Sequence, residues 1–136
     1  MDTIRKVSYC YATVPDKAGE GARLLRVLKD ARVNLLAFHA FPSARKSQAD
    51  FVAADATALA SAAKAAKIKL SKPKTAFLID GDDRVGALAD IMARLGGAKV
   101  NVTAVSAVCA GMGRYGALLW VKPRDVEKAA AALGAM

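Results

Sequence analysis

The stretch DRVGALADIMARLGGAKVN (residues 83–101) answers the stretch DKAGEGARLLRVLKDARVN (residues 16–34) across an offset of 67 residues. Asp16 stands over Asp83, Gly19 over Gly86, Leu28 over Leu95 and Val33-Asn34 over Val100-Asn101. The same offset carries Phe51-Val52 onto Leu118-Leu119 and Leu59 onto Val126. One register held over so long a span reads as two copies of a single structural unit. The copies are expected at residues 1–72 and 73–136. Ser71-Lys72-Pro73-Lys74 forms the joint, because Pro73 interrupts regular structure between polar flanks.

Each copy has the same predicted order. Val7–Val14 and Thr75–Asp80 are rich in strand formers, and each runs into a polar turn, 15–18 or 81–84. A helix follows. Leu24, Leu25, Leu28 and Ala31 make its apolar stripe in the first copy, and Leu88, Ile91, Met92 and Leu95 in the second. It ends at Arg32, or at Gly96-Gly97, where glycine suits a stop. Val33–Phe41 and Val100–Cys109 read as strands that turn at 42–47 and 110–114 into Gln48–Ala54 and Tyr115–Val121. Asp55 and Pro123 suit the start of a second helix, and Ile68–Leu70 reads as a short last strand. The result is an α+β fold, a ferredoxin-like βαββαβ unit repeated twice, with antiparallel sheets and helices on one face. The second copy lacks room for its last strand. That absence predicts an open apolar edge along Thr75–Asp80, to be covered by a second molecule, and hence a homodimer.

The 136 residues are 54% hydrophobic and 24% charged, with a net charge of +9, which excludes a disordered chain. No apolar run approaches the ~20 residues that span a bilayer, and the start lacks the pattern of a secretory signal. Two cysteines without a CxxC spacing suit neither a disulfide framework nor a metal site. A cytoplasmic protein without membrane association is expected.

Few residues suggest catalysis. His39 is the single histidine and lies within an apolar alternation. Gly111-x-Gly113-x-x-Gly116 matches a dinucleotide fingerprint in letters but precedes a strand inside a hairpin, whereas the fingerprint must open a helix. Asp80, Asp82 and Asp83 read as a solvated turn rather than a cation site. Lys64, Lys67, Lys69, Lys72 and Lys74 form a basic run, and Phe51, Tyr115 and Trp120 sit on third strands. Without the aromatic consensus of RNA-binding sheets, however, they point to a solvated linker. No catalytic residue, metal or cofactor is expected.

The two strand-to-helix turns carry more. Each presents free backbone N–H groups at a helix start, which favour a carboxylate. Each also carries an acid, Asp16 or Asp83, suited to an ammonium group. Opposite charges on one small ligand describe an amino acid, and Asn34 and Asn101 add donors and acceptors.

Asp-x-x-Gly, an amphipathic helix and Val-Asn, found twice in register, resemble the ACT domain, a regulatory module of amino-acid metabolism. The resemblance covers nearly the whole chain. It implies a ferredoxin-like fold, no catalysis, and amino-acid binding where the first turn of one unit meets the following strand of its neighbour. The implied ligand residues are Asp16, Ala18, Gly19 and Asn34, with Asp83, Val85, Gly86 and Asn101. Gly21, Ala18 and Val85 depart from the family pattern, so the first site is the less typical. The expectation is a regulatory protein that senses a small ligand and signals to a partner protein. The alternative is an assembly module without a ligand, and RNA binding ranks below both.

Overall fold

The computed structural model describes residues 2–136. The chain forms two compact units, one of Ser8–Lys74 and one of residues 2–7 with Thr75–Met136. The strands are β1 (Thr3–Pro15), β2 (Leu35–Ser43), β3 (Lys46–Ala53), β4 (Lys74–Asp82), β5 (Val102–Gly111) and β6 (Arg114–Val121). The helices are α1 (Glu20–Asp30), α2 (Ala56–Ala65), α3 (Ala87–Gly97) and α4 (Val126–Leu133), the last preceded by a 3-10 turn at Pro123–Asp125. The architecture is the α+β, ferredoxin-like repeat that the sequence predicts. In the unit of residues 8–74 the strand order is β2-β3-β1, with both pairings antiparallel. In the other unit it is β1-β4-β6-β5.

The repeat holds closely. Glu20 and Ala87 open α1 and α3, Asp30 and Gly97 close them, and both pairs stand 67 residues apart. The offset then becomes 68. Tyr11 pairs with Asp50, whereas Leu78, its counterpart, pairs with Leu118. The extra residue is Ala110, which the pairing skips between Cys109 and Gly111 as a β-bulge. Both hairpins then turn on two residues with positive φ, Ala44-Arg45 and Met112-Gly113, the geometry that follows the right-handed twist of paired strands. Gly111 and Gly113 therefore belong to a hairpin and not to a nucleotide loop.

The first seven residues depart from expectation, and so does the last strand. The join at 74/75 falls two residues from the expected one, but residues 2–7 group with the second unit. Ile4 is buried in that unit's core with Phe77, Ile79, Ile91 and Leu119. β4 consequently lies between β1 and β6, and the edge expected to be open along Thr75–Asp80 is filled by the chain itself. The sequence-based reason for a homodimer falls with that edge. The last residue adds to the closure, since Met136 N donates to Ile4 O at 3.0 Å and Lys6 N donates to Met136 O at 3.1 Å. In the other unit Ile68–Leu70 is not a regular strand. The segment meets β1 through Ser71, whose N donates to Tyr11 O at 2.8 Å and whose Oγ accepts from Tyr11 N at 2.9 Å.

Helix ends also differ in detail. α3 runs through Gly96-Gly97, and the left-handed residue that stops it is Lys99, with φ 59°. Lys99 N donates to Gly96 O and Val100 N to Leu95 O, the paired bonds of a Schellman motif. Arg32 and Lys67 end α1 and α2 in the same way. The strain of a left-handed side chain is offset by a cation's attraction to the negative end of the helix. At the other end of α2, Asp55 Oδ1 accepts from Thr57 N and Ala58 N, the cap expected of it. Pro123 opens the 3-10 turn ahead of α4. The buried stripe of α3 is Ala87, Ile91 and Leu95, and Met92, expected within it, is 38% exposed.

Candidate functional site

Four residues, Asp83-Arg84-Val85-Gly86, connect β4 to α3. Gly86 adopts φ +81°, a left-handed conformation that glycine takes without strain, and no side chain caps the helix behind it. The turn and the first residues of α3 form one wall of a cavity of about 290 Å³. The opposite wall comes from β5, through Ala107, Val108 and Cys109, and from Tyr115 at the start of β6. The lining is mostly small and apolar, and its charged members are Asp83 and Arg84. The Asp83 carboxylate holds the Cys109 thiol's pKa up.

Behind this wall lies an ion pair joining the unit's two sequence segments. Asp2, with a side chain only 7% exposed, accepts from both terminal nitrogens of Arg84 at 3.1 Å. The Arg84 hydrogen bond holds the Asp2 carboxyl below its usual range, against the opposing effect of burial. Gly81 makes the approach possible: a Cβ there would lie 2.0 Å from Asp2 Oδ1 and 3.0 Å from the Tyr115 ring. Tyr115 itself is 6% exposed. Burial first, then the neighbouring Asp2 carboxylate, raises its pKa, so the hydroxyl keeps its proton at neutral pH. Asp2 is the acid nearest the phenol, and the two influence each other's titration through a side-chain hydrogen bond. The Tyr115 hydroxyl oxygen is fully buried, on the Asp2 side of the ring.

Two of the expected site residues, Asp83 and Gly86, line the cavity. Val85 points to solvent, 105% exposed. Asn101 lies beyond the far end of α3, which at 1.5 Å per residue is about 16 Å along the axis from Gly86. The first copy repeats this separation between Gly19 and Asn34. There Gly19 takes φ +93° before α1, and Asp16, Ala18 and Gly19 are all exposed. Asp16 Oδ1 already accepts from Ser47 Oγ at 3.1 Å. Ser47 pairs with Val14 as Tyr115 pairs with Gly81, so the two are counterparts. The first copy thus sets a short hydroxyl against the acid of its own turn, where the second sets a long one beside Asp2. Tyr115, Arg84 and Asp2 are the residues that sequence reasoning missed. Tyr115 stood out only as a strand aromatic, and nothing local marks Asp2.

Asp80 and Asp82 lie on β4 rather than in a turn, and both bind Arg114, Asp82 at 2.9 Å. Among the described residues no three acids, histidines or cysteines converge on a metal position. Phe51, Tyr115 and Trp120 are 2%, 6% and 6% exposed, so none offers a face for base stacking. No helix among the described residues is long and apolar enough to cross a membrane.

Known structures share this backbone. The Bacteroides thetaiotaomicron protein BT0572 superposes with a TM-score of 0.83 at 16% identity, over 96% of this chain and 88% of that one. The ligand-free regulatory subunit of aspartate kinase from Thermus thermophilus gives a TM-score of 0.63 at 13% identity, over 98% and 94%. The fold is that of a tandem ACT protein. The regulatory subunit of aspartate kinase from Thermus flavus agrees, with a TM-score of 0.61 at 13% identity, over 98% and 94%. No protein-family model and no curated protein matches the sequence. At these identities the likeness is one of tandem ACT architecture.

Proposed function

We propose that this tandem ACT chain is a non-catalytic regulatory module that binds an amino acid and passes the signal to a partner protein. The observation that carries this reading is the cavity at the start of α3, which Asp83 and the helix N-terminus line with opposite polarity. The carboxylate would meet the N–H groups of Leu88 and Ala89, which helix geometry leaves without intrahelical partners. The ammonium group would meet Asp83, and the side chain the apolar wall of Ala107 and Val108. The similar aspartate kinase structures are regulatory subunits, which favours a partner enzyme as the recipient of the signal. Signalling requires that the ligand bind two states of the module with different affinity. The resemblance adds Asn34 and Asn101 as ligand residues, and the first-copy residues Asp16, Ala18 and Gly19 as a second, weaker site.

The test is a melting screen with the twenty common amino acids. A ligand bound only by the folded chain stabilises it by about 2.7 kcal/mol at a hundredfold excess over Kd. A single class of amino acids raising the transition supports the reading. No shift at millimolar concentration favours the ligand-free assembly module.

A further inference from the structure

We propose that β5 is an assembly edge, on which a second copy of this chain lays its own β5 antiparallel about a twofold axis at Ser106. The proposal goes beyond amino-acid binding and does not depend on it. It also concerns a different edge from the one that β1 closes. β5 ends the sheet order β1-β4-β6-β5, so a row of its backbone N–H and C=O groups has no strand beside it. Its sequence, VTAVSAVCAG, holds no charge and no proline. Every residue from Thr103 to Gly111 is exposed, Val105 by 38% and Val108 by 68%, while the neighbouring β6 is buried nearly throughout. Free edges of soluble proteins are usually blunted by charge, proline or a bulge. β2, the edge strand of the other unit, fits that rule, with His39 at its centre and Pro42 near its end. In β5 the register breaks only near the two ends, and Ala104–Cys109 stays regular.

The strand itself favours a second copy as its occupant. A chain of net charge +9 repels its own copies, and ten uncharged residues give two of them a place to meet with least repulsion. The one charged side chain of β6, Arg114, is held by Asp80 and Asp82. Joining two sheets with their helices on the same side requires opposed residues to point to one face. With a side-chain period of two, the numbers of each opposed pair must then sum to an even number. Centred on Ser106, the regular span opposes Val105 to Ala107 and Ala104 to Val108, each valine to an alanine. Centring on Val105 sets that valine against itself, and centring on Ala107 carries the pairing into the bulge at Ala110.

The experiment is sedimentation of the full-length chain over a range of concentrations, as wild type, Ser106→Lys and Ser106→Glu. Ser106 is exposed, so neither variant disturbs the folded single chain. The wild type is expected to form a dimer and nothing larger. Each variant alone is expected to dimerise more weakly by roughly tenfold or more, because like charges then stand opposite each other with Cβ atoms about 5 Å apart. An equimolar mixture of the two variants is expected to recover the dimer, since lysine then faces glutamate across the axis. A merely damaged fold would show no such recovery. A wild type that stays monomeric at millimolar concentration overturns the proposal. So does a dimer that both variants leave unchanged, or a mixture that associates no more tightly than either variant alone. Open-ended association, the mark of β5 pairing with β2 of the next copy, overturns it too. Hydrogen exchange on the wild type gives a reading that needs no variant. The amides of β5 should slow as concentration rises while those of β2 do not, and exchange in β5 that ignores concentration counts against the pairing. None of these outcomes turns on amino-acid binding, so this proposal and the proposed function fail separately.

Discussion

Replacing Gly97 by alanine sets two accounts of α3 against each other. If the helix stopped at the glycine pair, as the sequence suggests, one of the two would occupy the left-handed position, and a Cβ there would be destabilising. In the structure both glycines lie within the helix, and Lys99 holds that position. A Cβ on Gly96 or Gly97 would have no heavy atom within 4 Å, so there is no steric cost to set against the gain. Glycine in a helix costs roughly 0.5–1 kcal/mol relative to alanine. The double variant Gly96→Ala/Gly97→Ala is therefore expected to gain about 1–2 kcal/mol. For a chain of this size that corresponds to a rise of roughly 4–8 °C in Tm. Calorimetry is the assay of choice, because two units can melt separately, and the shift should fall in the transition that carries residues 75–136. A lower Tm for Gly97→Ala would refute the reasoning and place the helix stop at the glycines.

Other expectations follow from the same geometry. Gly86→Ala forces a side chain into φ +81°, and is expected to cost about 1–2 kcal/mol and to weaken amino-acid binding, read by calorimetry on both counts. Ile4→Ala removes a buried side chain from the core of the second unit, and is expected to cost about 2–5 kcal/mol there while the transition of residues 8–74 stays in place. Burial raises the pKa of Asp50, which is 4% exposed, despite the hydrogen bond from Gln48. A carboxyl whose folded pKa is raised binds its proton more tightly when folded. Its contribution to stability is therefore present at low pH and lost as pH rises from 3.8 through the folded value. Asp50→Asn should accordingly raise the urea midpoint at neutral pH and leave it nearly unchanged near pH 3. Asp2 has the opposite sign: its lowered pKa gives stability above 3.8 that is lost as pH falls through the folded value, so Asp2→Asn should flatten the acid limb of the same curve.

What could be read from the sequence was what depends on neighbours along the chain. The Asp-x-x-Gly turns, the helix spans and the hairpins follow from local propensity and periodicity, and the constant offset bound them into one repeat. The Ala110 bulge escaped notice because an extra residue in a hairpin leaves the strand composition unchanged. Residues 2–7 escaped for a different reason. Thr3–Val7 continues without a break into Ser8–Val14, and the change of partner from one unit to the other has no local signature. The site divides the same way. Asp83 and Gly86 were marked by their turn, whereas Tyr115 joins the cavity from another strand and Asp2 stands behind it from the far end of the sequence, properties of packing alone. Asn101 was grouped with Gly86 by motif, but α3 holds them at opposite ends.

The grouping of residues 2–7 with Thr75–Met136 bears on how the polypeptide matures. During vectorial synthesis, Ser8–Lys74 leaves the ribosome as a complete unit and can fold while translation continues. The other unit cannot close until Met136 has been made, because Ile4 and Lys6 are hydrogen-bonded to it. Its first strand must wait through the making of Ser8–Lys74 and then of Thr75–Met136, with the apolar Ile4 exposed in the meantime. The same closure brings Met136 within hydrogen-bonding distance of Ile4 and Lys6, so a short linker from Met136 back to Thr3 would close residues 3–136 into a ring. Reopening that ring between Lys74 and Thr75 would make both units contiguous, and in such a permuted chain each could finish folding in the order in which it is made.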